Sequence, residues 1–255
     1  MIDVDILCNP YLGEPLKRVG DHLVGLASGV RFLIKEDIPI IIDRPHFSVR
    51  NKLNNFLYNV SAGVYEKLLN IGDRIDYSKD IAVNKHFLNN LKIESGQKVL
   101  EIGIGTGLST RFLPDNIEHI GLDLSWNMLQ QATKNMTALN RTPLLVQALA
   151  EYLPFRDNSM DVVFQIGTLQ FTEDPFRSVS EMARVAKPGT TIFILDEISG
   201  GMKIFQRSPA HKMHVNNTKD LIRELPRLVP HSMINIKSQN FLGTQFYQLQ
   251  FSKPK

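Results

Sequence analysis

The chain has 255 residues, 43% of them hydrophobic and 22% charged, with a formal charge of +3 at pH 7. A chain of this length buries roughly 73% of the surface it exposes when unfolded, enough for one sizeable core without covalent staples. Its one cysteine, Cys8, excludes an intramolecular disulfide framework, a four-cysteine zinc site and a cysteine-ligated iron–sulfur cluster.

No apolar run reaches the ~20 residues that a membrane-spanning helix needs, and the opening MIDVDILCNP lacks the basic segment of a secretory signal. The expected setting is the reducing cytoplasm. Charge is uneven along the chain: residues 201–255 hold nine Lys or Arg against Asp220 and Glu224. Such a tail either attracts an anionic substrate, nucleic acid or membrane, or forms a solvated face balanced by acids elsewhere in the fold.

In chain order, residues 1–45 carry short apolar runs broken by Asn9-Pro10, Gly13, Gly20, Gly25 and Gly29, a pattern of short strands and turns. Residues 46–95 change to helical spacing at Leu53, Phe56, Leu57, Val60 and Val64, which predicts a helical connection and substrate cap. From residue 96 strands and helices alternate. Strands are expected at Lys98–Ile102, His119–Leu124, Pro143–Ala148, Asp161–Ile166 and Thr191–Asp196, and helices at Thr106–Leu113, Ser125–Thr137 and Asp174–Ala186. That rhythm predicts right-handed crossovers and a mostly parallel sheet covered on both faces. A helix is expected around Thr218–Leu228, followed by strands at Met233–Ser238 and Thr244–Ser252 close enough to pair antiparallel.

The segment Val99-Leu-Glu-Ile-Gly-Ile-Gly-Thr-Gly107 places three glycines directly after an apolar strand, where the backbone can turn tightly and a ligand can approach without meeting a β-carbon. A dinucleotide fingerprint needs its third glycine at position 108, which is Leu108, and no Gly-Lys-Ser/Thr follows for a phosphate-binding P-loop. Twenty residues after Gly103 a second strand ends at Asp123, a carboxylate able to accept from both hydroxyls of a ribose; capping the next helix is the structural alternative, for which Ser125 is better placed. Ala150-Glu-Tyr-Leu-Pro-Phe and Ala186-Lys-Pro-Gly189 follow in order.

Together these four segments resemble the ordered motifs of class I S-adenosyl-L-methionine (SAM) dependent methyltransferases, nearest to the ubiquinone/menaquinone-biosynthesis C-methyltransferase type, over residues 50–255. The resemblance implies a Rossmann-like α/β fold: a seven-stranded, mostly parallel sheet with an antiparallel C-terminal strand, and a small N-terminal β-rich subdomain. It implies SAM as cofactor, with Gly103, Gly105 and Gly107 around the methionine moiety and Glu101 orienting its ammonium group. Asp123 holds the ribose, Leu124 and Met128 pack on adenine, Ala150 offers its N–H to the ring, and Gln165 lines the methionine end. The family often has an acid where this chain has Leu149; Glu151 is adjacent and faces elsewhere if the segment is extended.

The first 45 residues resemble a zinc-ribbon-like domain that precedes some methyltransferase domains. The four ligand places are here Cys8, Tyr11, Gly25 and Ser28, so no structural zinc is expected. Apolar packing of Leu23, Phe32, Ile34, Ile38 and Ile40 is the expected substitute for the metal.

Methyl transfer is an in-line displacement that needs positioning more than a dedicated base. If the acceptor must lose a proton, Tyr65, Gln170 and His211 are candidates by position, with Tyr58, Glu197 and His214 beside them; His86 reads as surface. A small-molecule acceptor is the leading expectation. An RNA-base methyltransferase and a non-catalytic methyltransferase-like binding protein are the alternatives, and oligomeric state is left open.

Overall fold

The computed structural model of the protein describes residues 4–43, 78–197, 224–241 and 246–255. The first block forms strands β1 (Cys8–Asn9), β2 (Glu14–Val19), β3 (His22–Gly25), β4 (Arg31–Lys35) and β5 (Ile38–Ile41), each antiparallel to the one before. Turn chemistry fixes this meander. Gly20 supplies a φ of 62° between β2 and β3, and Glu36 and Asp37 both adopt positive φ (50° and 59°) between β4 and β5, the twist that a two-residue hairpin requires. Alternation then separates the faces: Leu16, Leu23, Phe32 and Ile34 are buried, while Lys17, Arg31, Leu33 and Lys35 are exposed.

Helix α1 (Ser78–Asn90) leads into the alternating part: β6 (Lys98–Ile102), β7 (Glu118–Asp123), α2 (Trp126–Ala138), β8 (Leu144–Ala148), β9 (Val162–Ile166), α3 (Pro175–Val185) and β10 (Thr191–Glu197). The chain closes with β11 (Ile234–Asn240) and β12 (Phe246–Ser252). Strands β6 to β10 pair parallel among themselves; β12 lies antiparallel to β10, and β11 antiparallel to β12. Side chains cap both α2 and α3, the first at Ser125 as expected from the sequence. Ser125 accepts from Met128 N at the start of α2, and Asp174 accepts from Arg177 N before Pro175 at the start of α3.

Among the described residues the sheet has twelve strands, in the order β1-β2-β3-β4-β5-β8-β7-β6-β9-β10-β12-β11, so the five N-terminal strands continue the sheet instead of forming the separate small unit expected. The cause is the pairing of β5 with β8, where Ile40 and Ile41 lie parallel to Gln147 and Ala148. This covers a sheet edge that would otherwise be left with unpaired backbone groups. Leu7, Leu16, Leu23, Phe32 and Ile34 pack in the same buried cluster as Phe155, Val179, Met182 and Val185, so the N-terminal strands and α3 share one core. A second cluster joins Phe87 of α1 to Phe164 and Leu195.

Two expected helices differ. Thr106–Leu113 contains only a 3-10 turn, Leu108–Phe112, because Gly107 enters it in the left-handed region without a side-chain cap and the bonds close at i to i+3 (Thr110 N to Gly107 O, Leu113 N to Thr110 O) before Pro114. Of the helix expected at Thr218–Leu228, residues 224–228 are described and include the 3-10 turn Leu225–Leu228; the remainder lies outside the described residues. Much of the expected 46–95 connection also lies outside them. No helix among the described residues is long and apolar enough to cross a membrane.

Candidate cofactor cleft

Strand order reverses around β6, whose neighbours are β7 on one side and β9 on the other. Loops leaving adjacent strands in opposite directions open a crevice at the strands' C-terminal ends. A cleft lies at the C-terminal ends of β6, β7, β8 and β9 and is lined by Gly103, Gly105, Asp123, Leu124, Met128 and Ala150 among others.

The floor is the glycine loop. Gly103 has a φ of 70° and backs directly onto the Thr168 side chain, so a β-carbon there would strain the backbone and collide with Thr168 Oγ1. Its N–H and that of Ile104 both reach Leu122 O (2.7 and 3.0 Å), which ties the loop to the end of β7. Gly105, also at positive φ, donates to Asp123 Oδ2 at 2.9 Å, and Ser125 N donates to Asp123 Oδ1 at 2.8 Å. Asp123 therefore joins the loop after β6 to the turn after β7. Burial pushes its carboxyl pKa up, and N–H groups of Ser125, Gly105 and Leu124 oppose that shift. A carboxylate has about four acceptor sites, so these backbone donors leave capacity for a hydroxyl entering the cleft.

One wall is apolar: Leu122, Leu124, Met128, Ala148, Leu149 and Ala150. The opposite wall is the turn after β9, Ile166–Thr168, and the residues Phe171 and Thr172 beyond it. Gln170 N donates to Asp196 Oδ2 at 3.2 Å, so the fully buried Asp196 of β10 anchors the turn that carries Phe171.

Of the residues selected from sequence, Gly103, Gly105, Asp123, Leu124, Met128 and Ala150 come together on the cleft. Glu101, Gly107 and Gln165 are outside its lining. Glu101 is buried and accepts from Ser109 Oγ (2.6 Å) and His119 Nε2 (3.1 Å), a bonding pattern that secures the base of the loop. Gly107 supports the loop from behind, where a β-carbon would stand 3.2 Å from Met136. Gln165, 1% exposed, precedes the lining residue Ile166, and its Nε2 has no hydrogen-bond partner.

Among the acceptor-side candidates, Gln170 is half-buried and outside the lining, while its neighbour Phe171 lines the cleft. Glu197 ends β10. Tyr58, Tyr65, His211 and His214 lie outside the described residues. His86 is exposed on α1, with its ring 5.7 Å from that of Phe241.

Glu151 requires a correction. The segment after β8 turns, with Tyr152 N bonded to Leu149 O at 3.1 Å, so Glu151 reaches the cleft wall instead of facing away. Its Oε1 accepts from Glu173 N at 2.6 Å and Asp174 N at 3.4 Å, at the entrance to α3. Thr168, Phe171 and Thr172 were not selected from sequence; they carry no motif, and only the β9 turn brings them to the cleft.

A methyltransferase-domain profile matches residues 100–194. A demethylmenaquinone methyltransferase of Staphylococcus saprophyticus is 30% identical over 165 residues, 62% of this chain and 67% of that protein. The chain belongs to the SAM-dependent methyltransferases. A phosphatidylethanolamine N-methyltransferase of Cereibacter sphaeroides is 34% identical over 106 residues, 41% of this chain and 52% of that protein. The chain thus spans between about half and two thirds of the length of these relatives. At the level of fold, a SAM-dependent methyltransferase from Thermotoga maritima superposes with a TM-score of 0.56 at 19% identity, over 78% of this chain and 99% of that one.

Proposed function

We propose that this chain binds SAM in the cleft above β6–β9 and transfers its methyl group to a small-molecule acceptor. The observation that carries the reading is the pairing of Asp123 with Gly105: a half-buried carboxylate and a left-handed glycine loop meet at the crevice formed by the strand reversal. These residues suit the cofactor's parts. Asp123 accepts from ribose hydroxyls, Leu124 and Met128 flank the adenine with Ala150 N–H at its edge, and Gly103 and Gly105 admit the amino-acid portion without a β-carbon.

Bound there, SAM would supply a methyl carbon on a sulfonium, which an acceptor's electron pair can displace from the sulfur. The protein's part is positional. Phe171 and Thr172 shape the wall beside the reacting end, Asp196 holds their turn through Gln170 N, and the apolar lining excludes water. An apolar acceptor matches that lining, and the relatives named above act on a phospholipid and a quinone.

We infer that residues 1–45 form the ribbon-like module, 46–95 the connection and 96–255 the SAM-binding unit. In the module Glu14 takes the place a metal would have. Its carboxylate accepts from Asn9 Nδ2 (3.0 Å), Ala27 N (2.8 Å), Ser28 N (2.8 Å) and the Ser28 hydroxyl, next to the ligand places Cys8, Gly25 and Ser28. A β-carbon at Gly25 would collide with this carboxylate. Tyr11 is turned to other work, its ring against Tyr152 at 5.0 Å and its hydroxyl accepting from Asp43 N.

Isothermal titration with S-adenosylhomocysteine tests the cofactor reading; absence of binding at millimolar ligand removes it. Labelled SAM offered with a lipid and metabolite extract or with RNA tests the acceptor, and ribonuclease-sensitive label would replace the small-molecule reading with the RNA one.

A further inference from the structure

The described residues include nine large hydrophobic side chains that are exposed, and five of them, Leu12, Val19, Leu26, Val30 and Leu33, belong to the short N-terminal module. Scattered exposed aliphatics are ordinary, but a concentration on one small unit marks a contact surface. Strand directions place three of them. Because β5 runs parallel to β8, the β1–β2 loop and the β3–β4 turn lie at the cleft end of the sheet, and the β2–β3 and β4–β5 turns at the far end. Leu12 (60% exposed) is on the first of these loops, and Leu26 (57%) and Val30 (40%) flank the second.

The two loops form a fixed pair. Glu14 bonds to Asn9 in one and to Ala27 and Ser28 in the other, and Leu26 N donates to Pro15 O at 3.1 Å. The apolar tips are thus pre-set, so little ordering entropy is lost when they bind.

Charge distinguishes the two ends. Lys17, Val24 and Arg31 form one cross-strand rung on the outward face, one step from the aliphatic tips, with both cations exposed. Of the module's exposed acids, Asp21, Glu36 and Asp37 are in the far turns and Asp5 is in the 3-10 turn Val4–Ile6 before β1, while at the cleft end Glu14 is engaged by its donors and Asp43 is half-buried. Beyond the stacked Tyr11 and Tyr152, Phe176 and Arg177 extend the cleft end, but Glu173 and Asp174 beside them offset the Arg177 charge, which confines the anion-facing part to the module.

We propose that the N-terminal module docks this protein on an anionic lipid bilayer, with Leu12, Leu26 and Val30 entering the interface and Lys17 and Arg31 meeting the lipid phosphates. An aliphatic wedge combined with cations is the two-signal arrangement that holds a peripheral protein on a membrane. RNA is the poorer match, because the exposed tips Leu12, Leu26 and Val30 are aliphatic, and the nearby rings of Tyr11 and Tyr152 pack on each other, with Arg177 over Tyr152, instead of standing open to splayed bases. Docking in this orientation turns the cleft end of the sheet towards the bilayer. It adds a place of delivery to the proposed small-molecule methyl transfer and depends on that reading for its purpose, not for its binding.

The test is flotation of the full chain with vesicles of phosphatidylcholine alone or mixed with phosphatidylglycerol, read beside S-adenosylhomocysteine titration of the same samples. Two cations at the surface, each worth about fivefold, give an expected preference of about 25-fold for the anionic vesicles that declines with salt. Lys17→Glu with Arg31→Glu should abolish that preference, and Leu12→Asp with Leu26→Asp should lower binding to both vesicles at least about tenfold. Cofactor affinity should stay unchanged in both variants, which also reports that they are folded.

Failure of the chain to float, equal binding by the variants, displacement from vesicles by RNA, or self-association through the same residues would each overturn docking. Loss of cofactor binding by the parent chain with flotation intact would instead overturn the methyltransferase reading.

Discussion

The N-terminal module and the strand–helix part of the molecule contribute to one sheet but are held by different means. Strands β6, β9 and β10 lie in the sheet interior, with Val163, Phe164, Ile194 and Leu195 at 0% exposure and helices supplying most of the cover. The module has one buried face, and its loops meet around a carboxylate. A large parallel sheet is stabilised by apolar burial in many small shares, whereas a 40-residue meander relies on a few contacts that cannot be replaced singly.

Phe155 is where the two regions meet: it is fully buried in the shared cluster and bridged to Leu7. Phe155→Ala should therefore give the largest loss, about 3–5 kcal/mol in chemical denaturation, with both regions unfolding in one transition. Separate transitions would show that the module folds independently of the sheet.

Glu14→Ala should loosen the module selectively, because four donors at Asn9, Ala27 and Ser28 lose their shared acceptor. Hydrogen exchange should rise in β1–β4 and remain unchanged in β6–β10. The same carboxylate gives a pH signature. Hydrogen bonds from the Ser28 side chain and backbone, with smaller help from Ala27 and Asn9, push its pKa from 4.5 down to about 2. A depressed carboxyl pKa contributes stability above the unfolded value that is lost as pH falls through the folded one. Exchange in the module should accordingly increase as pH drops from 4.5 towards 2, and Glu14→Ala should remove that dependence.

At the cleft, Asp123→Ala should weaken S-adenosylhomocysteine binding by about 10- to 100-fold, the value of a charged hydrogen-bonding group, with module exchange unaffected. Because burial raises the Asp123 pKa, affinity should begin to fall on acidification above the ordinary aspartate value of 3.8. The smallest effect belongs to Ser125→Ala, which removes a local cap from α2 and should cost about 1 kcal/mol by thermal melting.

What could be read from the sequence was mostly local. The left-handed turn of the glycine loop and the Ser125 cap act on backbone within a few residues of themselves, so short segments suffice to read them, whereas Asp123 also meets Gly105, 18 residues away. The place of Glu101 at a strand end did not reveal which neighbours its carboxylate meets, Ser109 and His119. Glu151 was misjudged through the assumption of an extended backbone, and the turn from Leu149 to Tyr152 reverses its direction.

The sequence by itself determined the alternation of strands and helices, the antiparallel C-terminal pair and the position of the glycine loop, because periodicity, caps and positive-φ residues act locally. Only the tertiary structure decided that β5 pairs with β8, that Glu14 gathers donors from 13 and 14 residues away, and that Phe171 and Thr172 complete the cleft. Those outcomes depend on register and edge pairing, which no short segment encodes: an exposed strand edge and an unsatisfied carboxylate acquire partners only when distant pieces of chain are brought together.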